Sequence, residues 1–286
     1  MPNLKALRKR IGTVRSTQQI TKAMKMVAAA KLRRAQEAAE RARPYAQKLS
    51  EMFAAVVAGA TAEAHPLLAR REERRADVLI ITSDRGLCGG YNANILRLAE
   101  TVLRQPGREV AIFSVGRKAA EYLKRRAIPT QAERTGLLQQ SAVEVATAIA
   151  DALAARFVEG ESDAVYLVYS QFRSAISQVP TVVPLLPVAL PEDTEASGPV
   201  VEYIFEPPQK ALLAELLPAY LRTLILQALL EAAAGEHGAR MTAMENATTN
   251  ASDMIDRLTL SMNRARQATI TTELMEIVSG AEAMKG

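Results

Sequence analysis

The residues most able to do chemistry lie in a glycine-rich turn, Ser83–Gly90, which reads SDRGLCGG. The turn follows a short apolar run, Asp77–Thr82, and precedes a helical pattern. Backbone N–H groups at such a helix start can bind a phosphate group. The glycine spacing, however, matches neither a P-loop nor a dinucleotide-binding fingerprint. A tight turn that contacts a partner protein is therefore the favoured interpretation, with nucleotide binding left open.

Cys88, within this turn, is the only cysteine of the chain. A reactive thiolate or a metal site would need a histidine brought close to it. The two histidines, His65 and His237, lie in segments far from Cys88 in the sequence. We therefore predict no catalytic residue, no metal and no cofactor. A lone cysteine also excludes an internal disulfide and fits a reducing compartment.

Positive charge is concentrated at the N-terminus of the chain. Residues 1–43 contain twelve lysines and arginines against Glu37 and Glu40, a balance of +10, whereas the whole chain sums to +5. This segment should bind an acidic surface, such as nucleic acid, anionic lipid or acidic protein loops. A second polar group, Arg264, Arg266 and Gln267, could hydrogen-bond a partner's carboxylates or form a solvated helix face.

Long helices at both ends of the chain would carry these basic residues. Residues 3–58 and 209–285 have helical composition and periodicity. In the C-terminal stretch, one series of positions advances by alternating steps of three and four, as in a coiled coil. This C-terminal seam consists of Met241, Met244, Thr248, Ala251, Ile255, Leu258, Met262, Ala265, Thr269 and Thr272.

The N-terminal helix begins with the same spacing, at Leu4, Leu7, Ile11 and Val14. We expect the apolar frame to shift after Val14 and to continue through the later apolar residues Ile20, Met24 and Val27. Proline removes a helical hydrogen bond, so Pro44 should kink or break this helix. Pro218 should kink the C-terminal helix or mark its start.

Between the helices, apolar strands alternate with helical segments, which predicts a parallel sheet covered by helices. The predicted strands are Asp77–Thr82, Glu109–Ser114, Ala164–Tyr169 and Val200–Phe205. The predicted helices run from Tyr91 to about Leu103, over Arg117–Arg126, and from about Ser141 to Val158. Pro180, Pro184, Pro187 and Pro191 indicate extended segments at an edge or in a loop.

The predicted fold class is a Rossmann-like α/β domain beside a long antiparallel two-helix coiled coil, whose N- and C-terminal helices form a shaft. The predicted limits are an N-terminal helix at 1–60, a charged linker at 61–75, the α/β domain at 76–206 and the C-terminal helix at 207–286. No apolar run approaches the ~20 residues needed to span a bilayer, so no membrane insertion is expected.

Four stretches of the chain resemble the gamma subunit family of F-type ATP synthases. They are the run from Ile11 to Gln36, ITSDRGLCGGYN at 81–92, SAISQ at 174–178, and the run at 241–283. The last run contains the family signature at Ile270, Thr271, Glu273, Glu276, Gly280 and Ala281. The resemblance extends over essentially the whole chain.

The resemblance implies a rotor shaft that couples proton-driven rotation of a membrane c-ring to conformational change at beta-subunit catalytic sites. Its implied partners are three alpha and three beta subunits, the epsilon subunit and the c-ring, with no nucleic acid. Implied contacts with the alpha/beta ring are Lys22, Met24, Lys25, Arg85, Arg266 and Gln267. Implied contacts with the c-ring and epsilon subunit are Tyr203, Phe205 and Glu206.

The resemblance also implies a peripheral protein on the cytoplasmic face of a bacterial inner membrane. The chain lacks the regulatory cysteine pair of chloroplast members, which favours a bacterial enzyme without thiol regulation. Two other classes stay open on the residues alone. The basic helix could bind nucleic acid phosphates, or the central domain could be an enzyme with coiled-coil arms.

Overall fold

The computed structural model describes residues 4–57, 64–136, 141–189 and 208–284. The described residues form two compact units. The helix-pair unit comprises those up to Ala28 and those from Met241 onward, and the sheet unit comprises those from Ala29 to Arg240. Two long helices, α1 (Leu4–Val57) and α5 (Gln209–Ala283), contribute to both units. The domain limits predicted at residues 60, 75 and 206 remain a proposal.

The sheet unit contains five strands in the order β3-β2-β1-β4-β5. Their bounds are β1 (Arg75–Ile81), β2 (Glu109–Val115), β3 (Ala132–Arg134), β4 (Ala164–Ser174) and β5 (Ser177–Leu186). The three remaining helices are α2 (Tyr91–Leu103), α3 (Arg117–Arg125) and α4 (Ala142–Val158). The strands and helices predicted from alternation are confirmed, apart from Val200–Phe205, which lies outside the described residues.

The sheet is mixed, whereas a parallel sheet was predicted. β1, β2, β3 and β4 are parallel, but β5 pairs antiparallel with β4. The reason is the connection: Ala175 and Ile176 alone separate the two strands, and so short a link can only return the chain antiparallel. β5 is an edge strand, which confirms that Pro180 and Pro184 occupy an extended edge segment.

The central strand β1 divides two hydrophobic cores between the faces of the sheet. Leu79 and Ile81 pack with residues of α4 and α5 on one face. Val78 and Ile80 pack with residues of α2 and α3 on the other. All four side chains are fully buried, as expected for a central strand covered on both faces.

Helix α5 contributes a fully buried stripe to the first of these cores: Leu213, Leu217, Leu221 and Ile225. By length and composition α5 is apolar enough to cross a membrane, although a core helix of a soluble protein meets the same criteria. The buried stripe shows that part of this apolar surface serves the core. Leu67 and Leu68, in the segment predicted as a charged linker, are also buried there.

Both prolines lie inside continuous helices, so neither marks a helix break or a helix start, and the kinks predicted as the alternative stay predictions. Pro44 is within α1, and Pro218 is the tenth residue of α5, which begins at Gln209. An internal proline costs about 3 kcal/mol. Near Pro218, burial of Leu217 and Leu221 offsets that cost, since each buried leucine contributes roughly 2 kcal/mol.

In the helix-pair unit, α1 and α5 run antiparallel. The hydroxyl groups of Thr21 and Thr248 are 2.8 Å apart, and Lys25 forms an ion pair with Glu245. The C-terminal seam is confirmed from Met241 to Thr269: Met244 and Ala251 are buried and the other seam residues in that range are half-buried. Thr272 is exposed. The predicted coiled coil is thus an antiparallel helix pair.

The predicted frame shift in α1 is wrong. Ile20 and Val27 are 59% and 56% exposed. The inward positions instead continue the original spacing of three and four through Gln18, Thr21 and Ala28. Thr21 can occupy an inward position because both the Gln18 carbonyl and the Thr248 hydroxyl are hydrogen-bond partners of its hydroxyl group.

Candidate interaction surfaces

The Ser83–Gly90 turn connects β1 to α2 and is held by side chains at its first residues. The Ser83 N–H donates to Asn92 Oδ1 at 3.0 Å, and the Ser83 hydroxyl donates to the Arg85 carbonyl at 2.6 Å. The Asp84 carboxylate accepts hydrogen bonds from the backbone N–H groups of Arg117 and Gly136. These contacts fix the start of the turn against the sheet.

A second anchor comes from α5. The Arg240 guanidinium donates to the Gly86 carbonyl, with Nε at 3.4 Å and Nη2 at 3.2 Å, and Nη2 is 3.3 Å from the Arg85 carbonyl. Glu236 lies one helical turn before Arg240, and its Oε1 is 2.7 Å from Arg240 Nη2. That contact is an ion pair without hydrogen-bond geometry, which leaves Oε1 with no hydrogen bond.

Two glycines allow α5 to approach the sheet at this level. A Cβ atom at Gly238 would lie 3.0 Å from the Ala175 carbonyl oxygen, and one at Gly235 would lie 3.2 Å from the Tyr91 ring. The Tyr91 hydroxyl donates to the Ala232 carbonyl at 2.9 Å. Glycine at both positions therefore permits the contact that brings Arg240 to the turn.

As a result, the turn presents two side chains to solvent. Arg85 is exposed, and Leu87 is 62% exposed with a φ of 63°. A left-handed φ is unfavourable for leucine and persists only where surrounding contacts hold it. The Tyr91 N–H at the start of α2 is bonded to the Cys88 carbonyl. This bonding favours a protein contact over a phosphate site.

Cys88 is buried and faces inward. Asn92 Nδ2 donates to its sulfur at 3.2 Å. Burial raises the pKa of the Cys88 thiol, so the thiolate needed for nucleophilic chemistry is disfavoured at neutral pH. Among the described residues, no group of three or more His, Cys, Asp or Glu is placed to hold a metal ion.

Burial shifts the pKa values of two ionisable residues of α5 that lie behind the turn, Glu236 and His237. Burial raises the pKa of Glu236, opposed by the neighbouring Arg240 charge. His237 is 3% exposed, and burial lowers its pKa to about 4, with added repulsion from Arg240 and Lys31. His237 is therefore neutral at pH 7, and its Nδ1, 3.2 Å from Arg240 Nη1, can accept a hydrogen bond.

A second surface follows α1 of the helix pair around Lys22. The Lys22 side chain is exposed, whereas Met24 is half-buried and Lys25 pairs with Glu245. The neighbouring apolar side chains of Met26 and Val27 are more than half exposed. This stretch of α1 thus presents both cations and apolar surface.

A third surface is the C-terminal part of α5. Arg264, Arg266 and Gln267 are all exposed, in agreement with either interpretation of their sequence. Every described residue from Ile270 onward is also exposed. They include six large apolar side chains: Ile270, Leu274, Met275, Ile277, Val278 and Met284. Exposed apolar groups this close together are typical of surfaces that bind another protein.

Comparison with known proteins identifies the family to which this chain belongs. The ATP synthase family model matches residues 3–284. The ATP synthase gamma chain of Pelotomaculum thermopropionicum is 51% identical over 100% of both chains, and that of Desulforamulus reducens is 52% identical, also over 100% of both. This chain belongs to the ATP synthase gamma chain family.

Chains in two solved ATP synthase structures are similar to this chain in fold. A chain from the central stalk and c-ring structure of Tetrahymena thermophila mitochondrial ATP synthase is 30% identical, with a TM-score of 0.60 over 80% of this chain and 99% of that one. A chain from the Euglena gracilis mitochondrial enzyme has a TM-score of 0.71 over 98% of this chain and 94% of that one. At 24% identity, the second comparison concerns the fold alone.

Membership of the gamma chain family does not support the nucleic-acid-binding class left open by the basic helix. The contact residues implied by the family resemblance lie on different surfaces. Arg85 is in the turn, and Arg266 and Gln267 are on α5. Lys22, Met24 and Lys25 are on α1. Tyr203, Phe205 and Glu206 lie outside the described residues.

The residues by which α5 holds the turn are not among those predicted from the sequence. Glu236 and Arg240 are spaced by four, so they lie on one face of a helix and form an ion pair. That spacing was visible in the sequence. The acceptors of Arg240 are backbone carbonyls more than 150 residues away, and no side-chain pattern indicates them.

Proposed function

We propose that this gamma chain is the central rotor shaft of an F-type ATP synthase. It couples proton-driven rotation of the membrane c-ring to conformational change at the catalytic sites of the beta subunits. The observation that carries the proposal is the full-length family match, which includes both members of the helix pair. A shaft acts by contacting different sites unequally, because only differential contacts shift a conformational equilibrium.

The unequal helices provide a physical basis for such differential contact. Helix α1 has 54 residues and begins in a strongly basic segment, while α5 has 75 residues and ends in an exposed apolar surface. The two helices therefore present different surface chemistry, one basic and one apolar. An element of this kind can bias three identical surrounding sites toward different states as it turns.

We further propose that Lys22, Met24, Lys25, Arg85, Arg266 and Gln267 contact the surrounding ring of three alpha and three beta subunits. Exposure of Lys22, Arg85, Arg266 and Gln267 supports this role for those four. Lys25 would have to share its charge between Glu245 and a partner carboxylate. Met24 would offer the exposed part of a half-buried side chain.

The contacts with the c-ring and epsilon subunit are proposed at Tyr203, Phe205 and Glu206, on the basis of the family resemblance. The protein would then be a peripheral protein on the cytoplasmic face of a bacterial inner membrane, without inserting into the bilayer. Burial of the apolar stripe of α5 against the sheet supports the lack of insertion, since Leu213 and Leu217 already have protein partners.

We propose that the chain contributes no catalytic residue to ATP turnover. Burial of Cys88, which raises the pKa of its thiol, and the inward hydrogen bonds of the Ser83–Gly90 turn support this. The purified chain should then neither hydrolyse ATP nor bind a nucleotide. Detectable ATP turnover by the isolated chain would instead support an α/β enzyme with helical arms.

The assembly experiment mixes the purified chain with the alpha and beta subunits of its own enzyme and measures the size of the product. We expect a complex far larger than any single subunit, with ATP hydrolysis. The matched variant is Arg266→Glu with Gln267→Glu, which reverses the charge of one proposed contact and should weaken assembly. If the unaltered chain forms no large complex, the proposal is wrong.

A further inference from the structure

We infer that Arg240 is a positioning residue for the partner contact made by the Ser83–Gly90 turn. Its guanidinium holds the carbonyl groups of Arg85 and Gly86, and so fixes the direction in which the Arg85 and Leu87 side chains leave the turn. The inference rests on the proposed function only for the identity of the partner, an alpha/beta ring. The intramolecular part stands on the contacts within the sheet unit.

The geometry requires an arginine. The guanidinium reaches the two carbonyls through Nε and Nη2, Glu236 through Nη2 and His237 Nδ1 through Nη1. The two carbonyls and Glu236 lie at the Nε and Nη2 edge of the planar guanidinium and His237 lies at Nη1, an arrangement that a lysine ammonium cannot match. The Arg240 side chain is only 11% exposed, and Glu236 keeps that buried cation compensated.

His237 completes the arrangement because it is neutral. A protonated imidazole would repel Arg240, whereas a neutral ring with its proton on Nε2 accepts a hydrogen bond through Nδ1. The buried position of His237 favours the neutral form. Arg240 thus has an acceptor or a counter-charge on each of its nitrogens and is held in one orientation.

The contacts of Arg240 stabilise the backbone conformation of Leu87, which immediately follows Gly86. Its left-handed backbone conformation is kept only while the adjoining peptide groups are held. Ser83 and Asp84 fix the beginning of the turn, and Asn92 fixes its end through Ser83 and Cys88. Arg240 acts between them, at the carbonyl next to Leu87.

Trypsin provides a direct measurement in the isolated chain, since it cleaves after Arg85, at the peptide group whose carbonyl oxygen Arg240 binds. Arg240→Met should raise the rate of cleavage after Arg85 by about tenfold, the effect of losing charge-assisted hydrogen bonds. Arg240→Lys should give an intermediate rate. The fragment beginning at Gly86 is quantified by mass spectrometry.

The matched control is Arg222→Lys, on the same helix. Arg222 pairs with Asp151 at the surface, with a side chain 43% exposed, and it does not contact the turn. This variant should cleave at the unaltered rate. Equal cleavage rates for Arg240→Met and Arg222→Lys would overturn the inference. A general increase at every cleavage site would show that the fold is lost, rather than the contacts of Arg240 with the turn, and would overturn it too.

A double-mutant cycle in the assembled complex tests whether Arg240 acts through the exposed side chains. Arg240→Met should lower the affinity of the chain for the alpha/beta ring several-fold. In a chain that already carries Arg85→Ala and Leu87→Ala, the same substitution should change that affinity by less than about twofold. A merely structural role would lower affinity equally in both backgrounds and would contradict the inference.

If Arg85→Ala with Leu87→Ala leaves affinity unchanged, there is no contact to position, and the inference is overturned. That result leaves the proposed shaft function intact, because the unaltered chain still assembles. Failure of the unaltered chain to assemble contradicts the proposed function instead. The two failures are therefore distinguishable.

Discussion

The sheet unit and the helix-pair unit are stabilised in different ways. In the sheet unit, Val78 to Ile81 are fully buried between two cores, and α5 adds a fully buried leucine stripe. Among the described residues of the helix pair, the buried ones are Leu7, Thr21, Ala28, Met244 and Ala251. The helix pair thus has a narrow seam with few buried residues, of which only Leu7 and Met244 are large and apolar.

This difference indicates which unit depends on partners. A core like that of the sheet unit stabilises its own fold through apolar burial. A narrow two-helix seam contributes much less, while the end of α5 exposes Ile270, Leu274 and Ile277. We therefore expect the helix pair to open locally in the isolated chain and to become protected when other subunits cover it.

The largest expected effect is a difference in the free energy of unfolding when the same substitution is made at two positions of α5. Leu221→Ala, at a fully buried position of the sheet unit, should lower the free energy of unfolding by about 2–5 kcal/mol, because it leaves a cavity. Leu258→Ala, at a half-buried seam position, should cost about 1 kcal/mol or less. Denaturant unfolding of both variants, with hydrogen exchange for the helix pair, measures the difference. Equal costs would contradict the contrast between the units.

The next effect is a pH dependence located in the sheet unit. His237 titrates near its ordinary pKa of 6.5 when unfolded and at about 4 when folded. Between these values the unfolded state binds more protons, so stability is lost as the pH falls from about 6.5 to about 4. The full contribution is on the order of 3 kcal/mol. His237→Gln should remove it, as measured by unfolding at a series of pH values.

The control for this pH dependence is His65→Gln. Burial also lowers the pKa of His65, but that side chain is only half-buried, so its removal should change the profile less. Glu236, with a raised pKa, contributes in the opposite sense and is present in both variants. A steeper pH dependence after His237→Gln would be inconsistent with a neutral buried ring.

A smaller effect is expected from the polar pair within the helix-pair seam. Thr248→Val removes one partner of the 2.8 Å contact with Thr21 and should weaken the helix pair by about 1 kcal/mol. Substituting both residues with valine should recover part of that loss, because the Thr21 hydroxyl, which also donates to the Gln18 carbonyl at 3.0 Å, then no longer faces an apolar side chain. Hydrogen exchange of α1 amides near Thr21 distinguishes the two variants, and equal exchange in both would rule out the pairing as a source of stability.

The smallest effect concerns the ion pair between Lys25 and Glu245. The two side chains are 38% and 51% exposed, so solvent screens their attraction. Lys25→Ala should change helix-pair stability by less than about 1 kcal/mol, yet it should weaken assembly if Lys25 contacts the ring as proposed. Exchange measurements on the free chain and affinity measurements on the complex separate the two contributions. A large loss of stability in the free chain would indicate that Lys25 stabilises the helix pair rather than contacting a partner subunit.

The two units also differ in how well their sequences predict them. The C-terminal seam was predictable because its spacing alternates between three and four over many turns. The α1 frame was not, because the apolar Ile20 and Val27 suggested a shift, while Thr21 is made suitable for an inward position by Thr248, a residue distant in sequence. A polar pair across two helices leaves no apolar pattern to detect.

In the sheet unit, the parallel strands were predictable from the alternation of apolar runs and helices. The antiparallel β5 was not, since its prolines and polar residues lack a strand pattern. Arg240 holds the turn by donating to backbone carbonyl groups, which every residue has. Side-chain identity alone therefore cannot locate this contact, whereas the Glu236 to Arg240 spacing could have drawn attention to it.

Rotation of this chain within its complex can be observed directly. Ile176→Cys places a reactive group at the tip of the β4–β5 hairpin, where Ile176 is 82% exposed, while Cys88 is buried. With the alpha/beta ring fixed to a surface and a visible probe on residue 176, ATP should drive rotation of the probe in one direction. Sustained ATP hydrolysis by the assembled complex with a stationary probe would contradict the account.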